Sequence, residues 1–133
     1  MFSFPQKVLF KHCDPAGIVF YPRYFEMMND CVEAFFDSID HPFESLHGKN
    51  AVPMAQISTR FQAPSRHGDH LIISLEVLRL GNASLDIQLN ARAGGEARFT
   101  TDATLVYINA DGRPVRWPDT LRQSFTSHLR STP

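Results

Sequence analysis

Polar residues Arg23, Glu26, Asp30, Glu33 and Asp37 recur at steps of three and four, while Tyr24, Phe25, Met27, Met28, Cys31, Val32, Phe35, Phe36 and Ile39 fill most positions between them. That spacing predicts one helix over 22–39, with a narrow polar stripe and apolar cover on almost every other side. Such a helix has to be wrapped. At 1.5 Å per residue it runs roughly 25 Å, a length that one curved sheet of long strands encloses. Residues 84–92 alternate strictly: Leu85, Ile87, Leu89 and Ala91 face one way and Ser84, Asp86, Gln88, Asn90 and Arg92 the other, as in a strand with one wet face. Long strands are also expected over 52–62, 71–79 and 97–108, separated by the 63–69 loop, Gly81-Asn82 and a Gly94-Gly95 hairpin. A looser alternation over 4–12, with Phe4, Val8 and Phe10 opposite Lys7 and Lys11, suits a first strand.

The breaker-rich stretch 38–50 reads as a loop with one short helical turn near 43–47, and 117–125 as a short amphipathic helix opened by Pro118 and Asp119. The order is strand, buried helix, then four consecutive strands. It implies an α+β fold in a single domain, 1–133, with an antiparallel-dominated sheet and the helix on one face.

Composition narrows the function. Thirteen basic and fourteen acidic residues give a formal charge of −1, which offers no electrostatic footprint for nucleic acid or an anionic membrane surface. The start of the chain lacks the charged-then-apolar layout of a signal peptide and no apolar run reaches membrane-spanning length, so a cytoplasmic protein is expected. Cys13 and Cys31 do not make a disulfide framework in a chain of this length, and free thiols are expected.

Candidate chemistry concentrates at His12-Cys13-Asp14-Pro15-Ala16-Gly17-Ile18-Val19-Phe20-Tyr21-Pro22. Asp before Pro most often forms a turn by bonding nearby amides. Here it lies a few residues upstream of an apolar helix start, with Ile18, Val19 and Phe20 to exclude water, which suits a base or nucleophile. Tyr21 is a poor N-cap, so first-turn amides are left for an anion or an oxygen that becomes anionic during reaction. A His12-Cys13-Asp14 triad is excluded because neighbours in an extended segment point to alternate sides. His67-Gly68-Asp69-His70 sits in a loop without further ligands at suitable spacing, so no metal and no cofactor are expected. Serine hydrolysis lacks its Gly-x-Ser-x-Gly elbow.

From Asp14-Pro15-Ala16-Gly17-Ile18-Val19-Phe20-Tyr21-Pro22-Arg23-Tyr24, the sequence resembles the hotdog-fold acyl-CoA thioesterases, in particular the 4-hydroxybenzoyl-CoA thioesterase group. Phe61-Gln62-Ala63-Pro64 with Gly68-Asp69, and Gly81-Asn82-Ala83-Ser84, are similar to later motifs of that family. The resemblance implies a five-stranded antiparallel sheet wrapped around a long central helix, with a short helix at the C-terminal end of the chain. It also implies a homodimer or homotetramer paired edge to edge, with active sites at the subunit interface. In that frame Asp14 is the catalytic carboxylate and the Tyr21 backbone N–H holds the thioester carbonyl oxygen. The family's turn carries more basic residues than the Arg79 and Asn82 found here, and Arg66, Arg79 and Asn82, with Ser84 beside them, become the candidates for CoA binding.

The expected reaction is hydrolysis of an aromatic or short to medium chain acyl-CoA, the acyl group lying near Phe20, Phe25, Met28 and Asn29 in a mainly apolar pocket with one polar contact. A diffuse helix dipole contributes about 0.3–1 kcal/mol when exposed, whereas one aimed oxyanion donor contributes about 3 kcal/mol, so the directed Tyr21 N–H matters more. A non-catalytic acyl-CoA binding module on the same fold is the alternative. A hotdog dehydratase is disfavoured because such enzymes usually place a histidine near the helix start, and this helix has none.

Overall fold

In the computed structural model, which describes residues 1–130, strands β1 (Phe2–Lys7), β2 (Met54–Phe61), β3 (His70–Leu80), β4 (Ser84–Ala93) and β5 (Glu96–Val106) form one sheet. Their order is β1-β3-β4-β5-β2, and every neighbouring pair is antiparallel. Helix α1 (Tyr21–Ser38) lies against the concave face, α2 (Phe43–Leu46) is a single turn, and α3 (Asp119–Ser127) closes one end.

The apolar cover of α1 and the alternation of the strands meet in one core. Met27, Cys31, Phe35 and Phe36 of α1 pack on the inward parity of the sheet: Leu71, Ile73, Leu75 and Val77 from β3, Leu85, Ile87, Leu89 and Ala91 from β4, and Phe99 and Leu105 from β5. Burial pushes the Cys31 thiol up to about 12, so it stays an inert, protonated packing group. Phe125 of α3 stacks on Phe35 at 6.4 Å, and the buried Trp117 just before α3 donates its Nε1–H to Ser84 O at 3.1 Å. A Cβ at Gly81 would overlap Ser84 Oγ, which keeps that turn tight.

The first strand departs from expectation. It starts at Phe2 and ends at Lys7, and residues Phe10–His12 make a 3-10 turn instead of prolonging it. Loop contacts decide this. Val8 N–H donates to Asp69 O and Gly68 N–H to Val8 O, both at 2.8 Å, while Leu9 N–H is taken by His12 Nδ1 at 2.8 Å. Phe10 consequently points outward, 81% exposed. The C-terminal helix begins at Asp119 with Pro118 as its N-cap residue, the two residues expected at its start, while Trp117 belongs to the core.

At the far side of the sheet β2 pairs only with β5, and its outer edge is open. Met54, Ile57 and Phe61 are all exposed along it. No described helix is long and apolar enough to cross a membrane.

Candidate active site

Residues 13–20 return the chain to the start of α1 through a small hairpin. Cys13 bridges Val19, and Asp14 N–H donates to Ile18 O at 3.0 Å. At its tip Gly17 N–H donates to Asp14 O and Ala16 N–H to Asp14 Oδ1, both at 2.9 Å. Pro15 presets the turn, and Gly17 takes φ 81°, a left-handed conformation that strains any residue with a Cβ. One carboxylate oxygen therefore shapes the loop. The other has no partner among the described residues, on a side chain that is neither sealed nor fully exposed. Turn former and available carboxylate are properties of the same residue, divided between its two oxygens.

Helix α1 begins without a side-chain cap: Phe20 is the N-cap residue and offers no acceptor. Phe20 N–H is tied to His12 O at 3.0 Å and Arg23 N–H to Phe20 O at 2.8 Å; Pro22 has no N–H. That leaves the Tyr21 N–H, which donates to no acceptor among the described residues, at the positive end of an 18-residue helix.

What holds loop and helix in register is a polar clasp that no local pattern in the sequence announced. Ser65 is fully buried. Its carbonyl accepts Val19 N–H at 2.8 Å and its hydroxyl accepts the Tyr24 O–H at 2.9 Å. Arg98 Nη1, reaching over from β5, donates to Ser65 Oγ (3.0 Å), Pro64 O (3.1 Å) and Asp69 Oδ2 (2.8 Å). Asp69 Oδ2 also accepts Arg66 N–H at 2.9 Å. The Arg98 hydrogen bond holds the Asp69 carboxyl below the usual carboxylate range, whereas burial raises the Tyr24 phenol.

Two cavities flank the start of α1. A cavity of about 350 Å³ is apolar and aromatic, with Ile18, Val19, Tyr21, Tyr24, Phe61 and Pro64 in its walls. A cleft of about 710 Å³ runs along the other side of the helix, between Lys11 and His12 on one wall and Arg23, Phe25, Glu26 and Asn29 on the other. Phe25 and Asn29, expected beside the acyl group, line this cleft, whose surface is divided about evenly between polar and apolar atoms. Met28 does not join them: it is 1% exposed, turned into the core with Thr101 Oγ1 3.6 Å from its sulfur. Helical periodicity explains this, since positions 24, 28, 31 and 35 share the buried face while 25 and 29 lie beside it. Phe20 is exposed and packs edge-on against Tyr21 at 5.5 Å.

The CoA candidates fall into two groups. Arg66 bridges Ile18 and so sits by the Asp14 hairpin. Arg79, Asn82 and Ser84 lie at the opposite end of β3, whose eleven residues span roughly 35 Å. One protomer does not bring these groups together. The tail adds charge to the distant turn that was not foreseen from its local sequence: Arg122 Nη1 donates to Gly81 O at 2.9 Å and Arg116 Nη1 to Asn82 Oδ1 at 3.4 Å. His67 packs against Phe10 at 5.9 Å, and among the described residues no three His, Cys, Asp or Glu side chains converge as metal ligands would.

A helix cradled by a five-stranded antiparallel sheet, with a carboxylate loop at the helix start, is the hotdog fold. The chain belongs to the thioesterase-like superfamily, whose family model matches residues 8–125. A 1,4-dihydroxy-2-naphthoyl-CoA hydrolase from Synechocystis is 26% identical over 78 residues, 57% of this chain and 56% of that protein's own length. Among solved structures, a Synechocystis 1,4-dihydroxy-2-naphthoyl-CoA thioesterase superposes with a TM-score of 0.88 at 18% identity, covering 94% of this chain and 95% of its own. A gentisyl-coenzyme A thioesterase gives 0.86 at 25% identity over 92% and 98%. A thioesterase-superfamily protein from Jannaschia sp. gives 0.90 at 21% over 98% and 94%.

Proposed function

We propose that the protein hydrolyses acyl-CoA thioesters, with Asp14 as nucleophile or general base and the Tyr21 N–H as the oxyanion donor. The observation that carries this reading is that the hairpin leading into α1 holds a carboxylate oxygen, and the first turn of α1 a main-chain amide, neither of which has a partner among the described residues. Thioester hydrolysis needs those two groups: an oxygen to attack or to activate water, and a donor for the carbonyl oxygen as it becomes negative. In the nucleophilic route Asp14 bonds to the acyl carbon and the C–S bond breaks, releasing CoA thiolate; water then cleaves the mixed anhydride. In the base route Asp14 takes a proton from the water that attacks.

Of the aromatic and the short to medium chain acyl groups expected from the sequence, the names of two relatives, both for aromatic acyl-CoA thioesters, support the aromatic one. Phe25 and Asn29 along α1, with Phe20 at its cap, are the groups we place beside it. CoA binding falls to Arg66, Arg79, Asn82 and Ser84. Their separation in one protomer supports a homodimer or homotetramer in which the open β2 edge pairs with a second copy and each site draws on both chains.

The test is thiol release from a panel of acyl-CoA esters by the wild type and by Asp14→Asn. Hydrolysis should fall at least about 10³-fold in the variant, with acyl-CoA still bound. Undiminished hydrolysis would remove Asp14 from the mechanism, and a wild type that binds acyl-CoA but turns over none would make the protein a binding module. Single turnover in ¹⁸O-water identifies the nucleophilic route when water attacks the Asp14 carboxyl carbon of the anhydride, because only that cleavage leaves label in Asp14.

A further inference from the structure

His12 is a strongly buried titratable side chain beside the site that the reaction above leaves unused; its residue is 5% exposed. Its Nδ1 accepts Leu9 N–H at 2.8 Å, an arrangement only the tautomer protonated at Nε2 permits. The ring is therefore a fixed donor. Nε2 meets no acceptor among the described residues, is not sealed from solvent, and belongs to a residue that walls the 710 Å³ cleft. Its N–H therefore opens onto the cleft, and a ligand that displaces water from it must supply an acceptor in exchange or bind with that hydrogen bond lost.

The remaining cleft groups define the acceptor. Arg23 and Glu26 pair at 3.0 Å, and Lys11 and Asp30 add one charge of each sign, so the lining carries no net charge to select an ionised ligand. What it offers is neutral donors, His12 Nε2–H and the Asn29 amide. Burying an alkyl chain against these groups would strip their water with nothing in return. The position is also telling: His12 O receives Phe20 N–H, so the imidazole is anchored one residue before the oxyanion donor.

We propose that His12 Nε2–H is a binding donor to an uncharged oxygen of the bound thioester, held in the cleft along α1. The proposal rests on the acyl-CoA reading of the site. That oxygen is either a hydroxyl or carbonyl on the acyl chain or an amide carbonyl of the pantetheine arm, and the two sources are separable. His12→Asn keeps an acceptor for Leu9 N–H and deletes the Nε2 donor, while His12→Gln restores a donor near that position.

Calorimetry with hydrolysis-inert ligands reads the contact directly: the S-butyl thioether of CoA, its hydroxybutyl counterpart, and the nucleotide half of CoA as control. His12→Asn should weaken binding about tenfold, the loss of one buried hydrogen bond, and His12→Gln should recover part of it. Weakening of the hydroxybutyl ligand alone assigns the acyl side, and equal weakening of both thioethers with the control unchanged assigns the pantetheine arm. Unchanged affinity for all three, or a control that falls in step, overturns the proposal. A wild type that binds the thioethers but hydrolyses no acyl-CoA sinks the hydrolase reading alone; one that binds neither sinks both.

Discussion

Asp40 stands at φ 64°, in the left-handed region, directly after the last turn of α1. His41 N–H returns to Phe36 O at 3.0 Å and Asp40 N–H to Asp37 O at 3.1 Å, the double closure that usually takes glycine. Asp40→Gly should therefore stabilise the protein by about 0.5–1 kcal/mol, an increase of roughly 3 °C in Tm measurable by calorimetry. His12 has the opposite relation to its surroundings. Burial, followed by the charge of Lys11, lowers its pKa from the ordinary 6.5, and protonation would also forfeit the Leu9 bond. A lowered folded pKa means that the unfolded chain takes the proton first. His12's contribution is thus complete above about pH 6.5 and is lost as pH falls from there through the folded value. Urea titrations between pH 5 and 7 should show that decline, and His12→Asn should flatten it.

At the scale of elements, the 63–69 loop decides where the Asp14 hairpin sits. It is fastened to α1 through Tyr24, to the hairpin through Val19 and to β5 through Arg98, so one guanidinium supports three elements. Removing it leaves Asp69 and Ser65 without their shared donor. Arg98→Met should cost about 2 kcal/mol in urea unfolding and speed hydrogen exchange at Val19. It also releases the Asp69 carboxyl toward its ordinary range. The wild type should lose stability as pH falls from the ordinary carboxylate range through the depressed Asp69 value, and Arg98→Met should flatten that decline, which the same titrations extended below pH 5 will show.

On the scale of the whole molecule, the two edges of the sheet are unlike. β1 carries Pro5, which interrupts further pairing, whereas β2 presents Ile57 and Phe61 on an edge with no partner in the protomer. We expect β2 to pair with a second copy, and Ile57→Lys to move the protein to monomer in sedimentation with most of its hydrolysis lost. Persistence of the dimer in that variant would assign the interface elsewhere.

The sequence by itself determined the elements and their faces, because each rests on a local repeat: the three-four stripe from Arg23 to Asp37, the strict alternation of β4, the Pro-Gly chemistry of the Asp14 turn. It also marked Asp14 and the uncapped helix start, since both follow from residue types a few positions apart. Only the tertiary structure decided where β1 stops, which side of α1 swallows Met28, and that Ser65, Asp69 and Arg98 meet. Those outcomes depend on contacts between residues tens of positions apart, for which neither spacing nor propensity carries a signal. The separation of Arg66 from Arg79 and Asn82 belongs with them: strand length was legible, but which end of the sheet lies beside the Asp14 hairpin is set by how the chain folds back on itself.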